Sequence, residues 1–208
     1  MSYQHVVFDV DGTLIDTEQP VLTALQRTVR ELLHREMPLS ELKFSYGIPG
    51  HEALVMLGAP DPDAAQDLWN RHLKELFDAV RVFDGVRQTL EALRKRGVRM
   101  GIITSKNREE YETDFTPFGL NGYFDISLTA DDTRLHKPNP EPLNRYRELT
   151  GAAAGEILYV GDSIYDMRCA ASAGVDSGLA LWGCGGVRHS PATYYFSRPQ
   201  EILEVLDR

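Results

Sequence analysis

The chain has 208 residues, 42% of them hydrophobic and 25% charged, with a formal net charge of −9. That size and mixture suit a globular protein of one sizeable domain, or a domain carrying an insert. The acidic balance argues against nucleic acid as a partner, because phosphate-backbone binding rests on clustered Lys and Arg. A small anionic substrate stays open, since one local site can be positive inside an acidic protein.

Taken in order, the chain begins with a short β-branched apolar run, Val6 to Phe8, which reads as a buried strand. Two carboxylates spaced i and i+2 follow, Asp9 and Asp11, and then Gly12 marks a turn. If the strand continued through them, both side chains would share a face. Carboxylates that close repel unless a cation or a shared proton lies between them, and Mg²⁺ is the usual occupant of all-oxygen sites. The plainer reading is an Asp-rich turn after a strand.

Pro20 to Leu33 carries apolar residues at helical spacing, with Asp16 or Thr17 as a cap. Helices are expected from Ser40 to before Gly47, over His51 to Leu57, and over Ala64 to Val80. Tyr46-Gly47-Ile48-Pro49-Gly50 reads as a loop. Residues 16 to 80 thus read as all-helical, with no strand.

From Phe83 onward the pattern alternates. Helices are predicted over Gly85 to Arg96, Arg108 to Phe118, Leu143 to Thr150, Ile164 to Ala173 and Pro199 to Leu206. Strands are predicted over Val98 to Ile103, Tyr123 to Leu128, Glu156 to Val160 and Val175 to Leu181. A loop, Gly183-Cys184-Gly185-Gly186, follows the last of these. Tyr194, Tyr195 and Phe196 read as core packing.

Alternating strands and helices predict an α/β fold, with a Rossmann-like parallel sheet flanked by helices. Ligands in such sheets bind outside the carboxyl ends of the strands. Three polar clusters fall at those ends: Asp9/Asp11, Thr104/Ser105 and Asp162/Asp166. Cys169 and Cys184 form neither a disulfide framework nor a metal-ligand pattern. His34, His51, His72 and His189 lie outside any ligand spacing, while His136 sits beside Lys137. No basic-then-apolar leader and no membrane-length apolar run is visible, so a cytoplasmic protein is expected.

The motifs Asp9-Val10-Asp11-Gly12-Thr13, Thr104, Lys137-Pro138 and Gly161-Asp162-Ser163-Ile164-Tyr165-Asp166 occur in this order. Together the chain resembles the haloacid dehalogenase superfamily in its phosphatase branch, near the phosphoglycolate phosphatases and β-phosphoglucomutase-like enzymes. The resemblance implies a catalytic core of residues 1–15 and 81–208, with a helical cap of residues 16–80 inserted after the first strand. It implies Mg²⁺ as cofactor, held by Asp9, the Asp11 backbone carbonyl and Asp162. Asp9 would be the nucleophile that forms an aspartyl-phosphate. Asp11 would act as general acid and then general base.

Thr104, the Ser105 backbone N–H and Lys137 would hold the phosphate. Asp166 would stand behind them, orienting a metal-bound water or Lys137. Tyr46 and Gly47 are the candidates for reaching the substrate from the cap. The implied activity is hydrolysis of a small phosphorylated metabolite: phosphoglycolate-like, a sugar phosphate, a nucleotide or pyrophosphate. A phosphomutase keeps both Asp residues and stays as the alternative, as does a non-catalytic binding protein on the same fold. Asp11 argues against dehalogenation. No nucleic-acid or membrane partner is expected, and the chain would be a monomer or homodimer.

Overall fold

A computed structural model of the chain describes residues 3–183 and 190–206. The predicted loop at Cys184, and His189, therefore lie outside the described residues.

The first strand, β1 (His5–Phe8), is buried along its whole length. It lies at the centre of a six-stranded sheet, which explains the apolar run Val6–Phe8: a parallel strand covered on both faces has no solvent side. A two-residue strand, β2 (Ile15–Asp16), pairs antiparallel with β3 (Arg81–Val82). Between them run the helices α1 (Glu18–Leu33), α2 (Leu39–Leu42), α3 (Gly50–Leu57) and α4 (Pro62–Leu76). After β3 come α5 (Val86–Lys95), β4 (Arg99–Ile103), α6 (Arg108–Glu110) and β5 (Ile126–Leu128). Next are α7 (Glu141–Thr150), β6 (Ile157–Gly161) and α8 (Ile164–Ala173). The described chain closes with β7 (Asp176–Ala180), β8 (Tyr194–Phe196) and α9 (Ile202–Val205).

The sheet order is β5-β4-β1-β6-β7-β8, and every pairing is parallel. β1 has β4 on one side and β6 on the other, so the chain order reverses there. That places the crevice for a ligand at the carboxyl end of β1. The two faces of the sheet have separate cores. One is built around Phe8, Leu90, Ile102, Phe115 and Val160, the other around Val7, Tyr146 and Tyr159.

The helices between β2 and β3 have a third core of their own, with Leu22, Leu25, Leu54, Trp69 and Leu73 at its centre. The apolar stripes of α1 and α4 face one another. Trp69, buried between them, still satisfies its indole N–H by donating to the Val21 carbonyl at 3.1 Å. No helix among the described residues is long and apolar enough to cross a membrane.

Several details differ from the sequence expectations. The helical insert is not strand-free at its edge, since Asp16 lies in the β2–β3 ribbon where the chain leaves and re-enters the core. Residues 108–118 do not form one α-helix: after α6 the backbone widens to a π-turn over Tyr111–Phe115 and tightens to a 3-10 turn over Thr116–Phe118. Pro117 accounts for the break, because it has no N–H to donate and its ring crowds the carbonyl four residues back. Tyr194–Phe196 is a strand at the sheet edge. Its alternation buries Phe196 but leaves Tyr195 about half exposed, so Tyr195 is not core.

Candidate active site

The carboxyl end of the sheet gathers the polar clusters. Asp9 follows β1 directly, and its amide still donates to the Val160 carbonyl of β6 at 2.9 Å. The extended strand stops there. Asp11 instead forms an isolated bridge with Ile15, and Gly12 turns the chain at φ +74. A side chain at Gly12 would collide with Asp162, whose Oδ2 would lie 2.2 Å from an added Cβ. Gly12 is thus required twice, by its backbone angle and by the carboxylate it approaches.

Asp9, Asp162 and Asp166 are buried, and each has a carboxylate oxygen within 4.8 Å of the others. Their environments differ. Both Oδ atoms of Asp166 are occupied: Oδ1 accepts from Lys137 Nζ at 2.8 Å and from the Tyr159 hydroxyl at 2.9 Å. Oδ2 accepts from the backbone N–H and the hydroxyl of Ser163. A carboxylate has about four acceptor positions, so Asp166 has none left for an ion.

Asp9 has a single strong partner, Lys137 Nζ at 2.9 Å from Oδ1. Burial pushes the Asp9 carboxyl up to about 7; Lys137 opposes this, while Asp166 and Asp11 add to it. Burial, Asp166 and Asp9 hold Asp162 well above the usual carboxylate range. Two buried, underneutralised carboxylates side by side are a donor set that fits a hard cation. Lys137 is held in the opposite sense: burial alone would lower it, but Asp166 and Asp9 outweigh burial and keep the ammonium charged.

Asp11 lines the same crevice with different partners. Its Oδ1 accepts from the Thr17 hydroxyl at 2.7 Å, and Thr17 in turn meets the Tyr46 hydroxyl at 2.9 Å. Lys106 Nζ lies 3.5 Å from the same oxygen and 2.8 Å from Asp114 Oδ2. Burial opposes the charge on Lys106, yet Asp11, Asp114 and Glu110 keep it raised.

Lys106, Glu110 and Asp114 are site-lining residues that the sequence reading did not single out. The signal available was the run Thr104-Ser105-Lys106-Asn107 after a strand. Asn107 caps α6 in a reciprocal box with Glu110, which aims this turn back at the crevice.

Thr104 follows β4, with its N–H on the Leu128 carbonyl and its hydroxyl accepting from the Lys106 N–H at 3.2 Å. The Ser105 hydroxyl donates to the Gly47 carbonyl at 2.9 Å. The loop Tyr46–Gly50 therefore faces the core. A Cβ on Gly47 would come within about 3.1 Å of Ser163 and Tyr165, and the Tyr165 hydroxyl donates to the Phe44 carbonyl. His136 bridges the same two parts, one ring nitrogen on Glu52 and the other on the Ala130 carbonyl. Between core and insert a cavity of about 70 Å³ remains. Asp9, Asp11, Ser105 and Lys106 line it from below, and Tyr46, Gly47, Gln66 and Trp69 from above.

The other residues are structural. The buried Cys169 thiol donates to the Asn139 carbonyl, and burial pushes it up to about 12. His51 pairs with Asp63 and His72 with Glu31 on the insert, and His34 is exposed.

A sequence profile for haloacid dehalogenase-like hydrolases matches residues 6–180. The chain belongs to that family. A proposed pyrophosphatase PpaX of Caldanaerobacter subterraneus is 33% identical over 88% of this chain and 83% of its own length. The phosphoglycolate phosphatase of Aquifex aeolicus is 29% identical over 97% and 96%. Among solved structures, a proposed phosphoglycolate phosphatase of Lactobacillus plantarum superposes with a TM-score of 0.88 at 28% identity. That match covers 99% of this chain and all of the other. The haloacid dehalogenase-like chain described here is accordingly a hydrolase.

Proposed function

We propose that this hydrolase is a Mg²⁺-dependent phosphatase of a small phosphorylated metabolite, acting through an aspartyl-phosphate on Asp9. The observation that carries the reading is the arrangement of Lys137 between Asp9 and Asp166, with Asp162 beside them and Asp11 lining the same cavity as Asp9. Relatives described as phosphatases support it.

Asp9, the Asp11 backbone carbonyl and Asp162 would hold the ion, and the hard-oxygen, charge-starved character of the pocket fits Mg²⁺. When bound, the ion supplies positive charge that lets two anions, carboxylate and phosphate, approach. Asp9 attacks phosphorus and the bond to the leaving oxygen breaks. Asp11 gives its proton to that oxygen and later takes one from the attacking water. Thr17 and Lys106 fix the carboxylate that does this.

Lys137 balances the charge on the transferring group, with Thr104 and the Ser105 N–H as further donors. Asp166 is a positioning residue, because its four bonds fix Lys137 and the start of α8. The helices between β2 and β3 would be the cap, closed here over the rim by the Ser105–Gly47, Tyr165–Phe44 and His136–Glu52 contacts.

The test is phosphate release from a panel of phosphate esters with and without Mg²⁺. Release that stops with EDTA and with Asp9→Asn is expected. Release unchanged by both contradicts the reading.

A further inference from the structure

The wall of the cavity beyond Asp9 and Asp11 is where the leaving group must sit, if the phosphatase reading holds. Relatives of this chain carry names such as phosphoglycolate phosphatase and pyrophosphatase. Both of those names imply a leaving group that carries a second anion. Among the described residues lining the cavity, Lys106 is the one Lys or Arg. It faces Glu110 and Asp114 in the same wall, so among the described residues this part of the cavity has one cation against two carboxylates.

Lys106 is also committed already. Of its three N–H bonds, one goes to Asp114 and one points toward Asp11. Lys137 is committed on the phosphate side, between Asp9 and Asp166. Glu110 is largely desolvated, and burial raises its carboxyl above the ordinary range even with Lys106 and the Asn107 N–H opposing. A further anion placed here would meet a like charge in a low-dielectric setting, which costs several kcal/mol.

The remaining lining groups suit hydroxyls. Gln66 Nε2 donates to Glu110 Oε1 at 2.9 Å and to Asn70 Oδ1 at 3.0 Å. Its other amide atom, Oε1, is buried against Gly50 with no hydrogen-bond partner. Asn70 also lines the cavity, and Trp69 and Val21 supply apolar surface. The volume, about 70 Å³, is well below the roughly 300–1,000 Å³ of pockets for drug-sized ligands. The phosphoryl group beside Asp9 and Asp11 shares that volume, which leaves room for a leaving group of few heavy atoms.

We infer that the preferred substrate is a phosphate monoester of a small alcohol that bears no negative charge, its hydroxyl or ammonium donors meeting Glu110 and Asn70. This rests on the phosphatase reading and narrows it. It sets this chain apart from enzymes whose leaving group is glycolate or phosphate.

The experiment compares kcat/KM with Mg²⁺ for glycerol phosphate, phosphoethanolamine, phosphoglycolate, pyrophosphate and 4-nitrophenyl phosphate. Glycerol phosphate or phosphoethanolamine should exceed phosphoglycolate and pyrophosphate by at least about tenfold. The ranking of the first two assigns a neutral or a cationic leaving group, and either order supports the inference.

Glu110→Gln keeps the capping role, since Gln serves at that position as Glu does. It should move the ratio of glycerol phosphate to phosphoglycolate toward phosphoglycolate by about tenfold, and Asp114→Asn should do the same. Preference for phosphoglycolate or pyrophosphate in the parent, or a ratio that neither variant moves, overturns this inference alone. Phosphate release from none of the five, the aryl ester included, overturns the phosphatase reading and this inference with it.

Discussion

Asp9 and Asp11 sit two residues apart and are given opposite work by what touches them. Asp9 is sealed against Lys137, and burial still pushes its carboxyl up to about 7. Asp11 is tethered by Thr17 and Lys106 at the edge of the cavity. Asp11→Asn should therefore lower kcat by about 10²–10⁴ on alkyl phosphates. It should cost much less in the first, phosphorylating step when the leaving group is an aryl oxide that leaves without a proton. Equal losses on both, measured as single-turnover rates, would remove the acid role from Asp11. Asp166 belongs to the same scale but acts through others. Asp166→Ala leaves the buried Lys137, Ser163 and Tyr159 without their shared acceptor. A loss of about 3–5 kcal/mol in a urea melt is expected, and a loss below about 1 kcal/mol contradicts the network.

At the scale of elements, the sheet does the assembling. Strand patterns were legible because β1, β4 and β6 are short, β-branched and buried, and because Gly or polar residues end each of them. That is why Asp9, Thr104 and Asp162 were found on one rim. Lys106 was not legible in the same way. Its partner Asp114 lies eight residues on, in the π-turn over Tyr111–Phe115, and its carboxylate is 2.8 Å from Nζ, a contact that no sequence period announces.

The β2–β3 ribbon and β8 are two and three residues long, too short for any period to show. The loop Tyr46–Gly50 could be marked as irregular from its glycines, but its contact with Ser105 and Ser163 could not. A close approach at Gly47 makes a sharp expectation. Gly47→Val, at φ +102 and against Ser163, should raise KM by loosening the closed insert while the core's secondary structure stays. Unchanged kinetics across several esters would show that this loop does not close on the core.

For the whole molecule, the buried acid cluster links stability to metal and the sheet links it to pH. An ion that binds only the folded chain should raise Tm, with about 2.7 kcal/mol of stabilisation at a hundredfold excess over Kd. Asp162→Asn should abolish that rise in a Mg²⁺ titration followed by thermal melting.

His5 in β1 is buried against the Tyr146 hydroxyl, and burial lowers its pKa, with Arg99 assisting and Glu156 and Asp125 opposing. The unfolded chain, with an ordinary value of about 6.5, therefore takes up the proton first as pH falls. Stability should hold above about pH 6.5 and decline below it toward the folded value. His5→Gln should flatten that decline, and parallel slopes in the two proteins would contradict the assignment.

The central claim is that phosphate passes through Asp9. The most direct measurement is acid quenching of Asp11→Asn during turnover of 4-nitrophenyl phosphate with Mg²⁺, followed by peptide mapping by mass spectrometry. Here the first step needs no acid and the second lacks its base, so phosphate should accumulate on the peptide that carries Asp9. Nitrophenol release with an unmodified Asp9, or phosphate on another residue, contradicts the account.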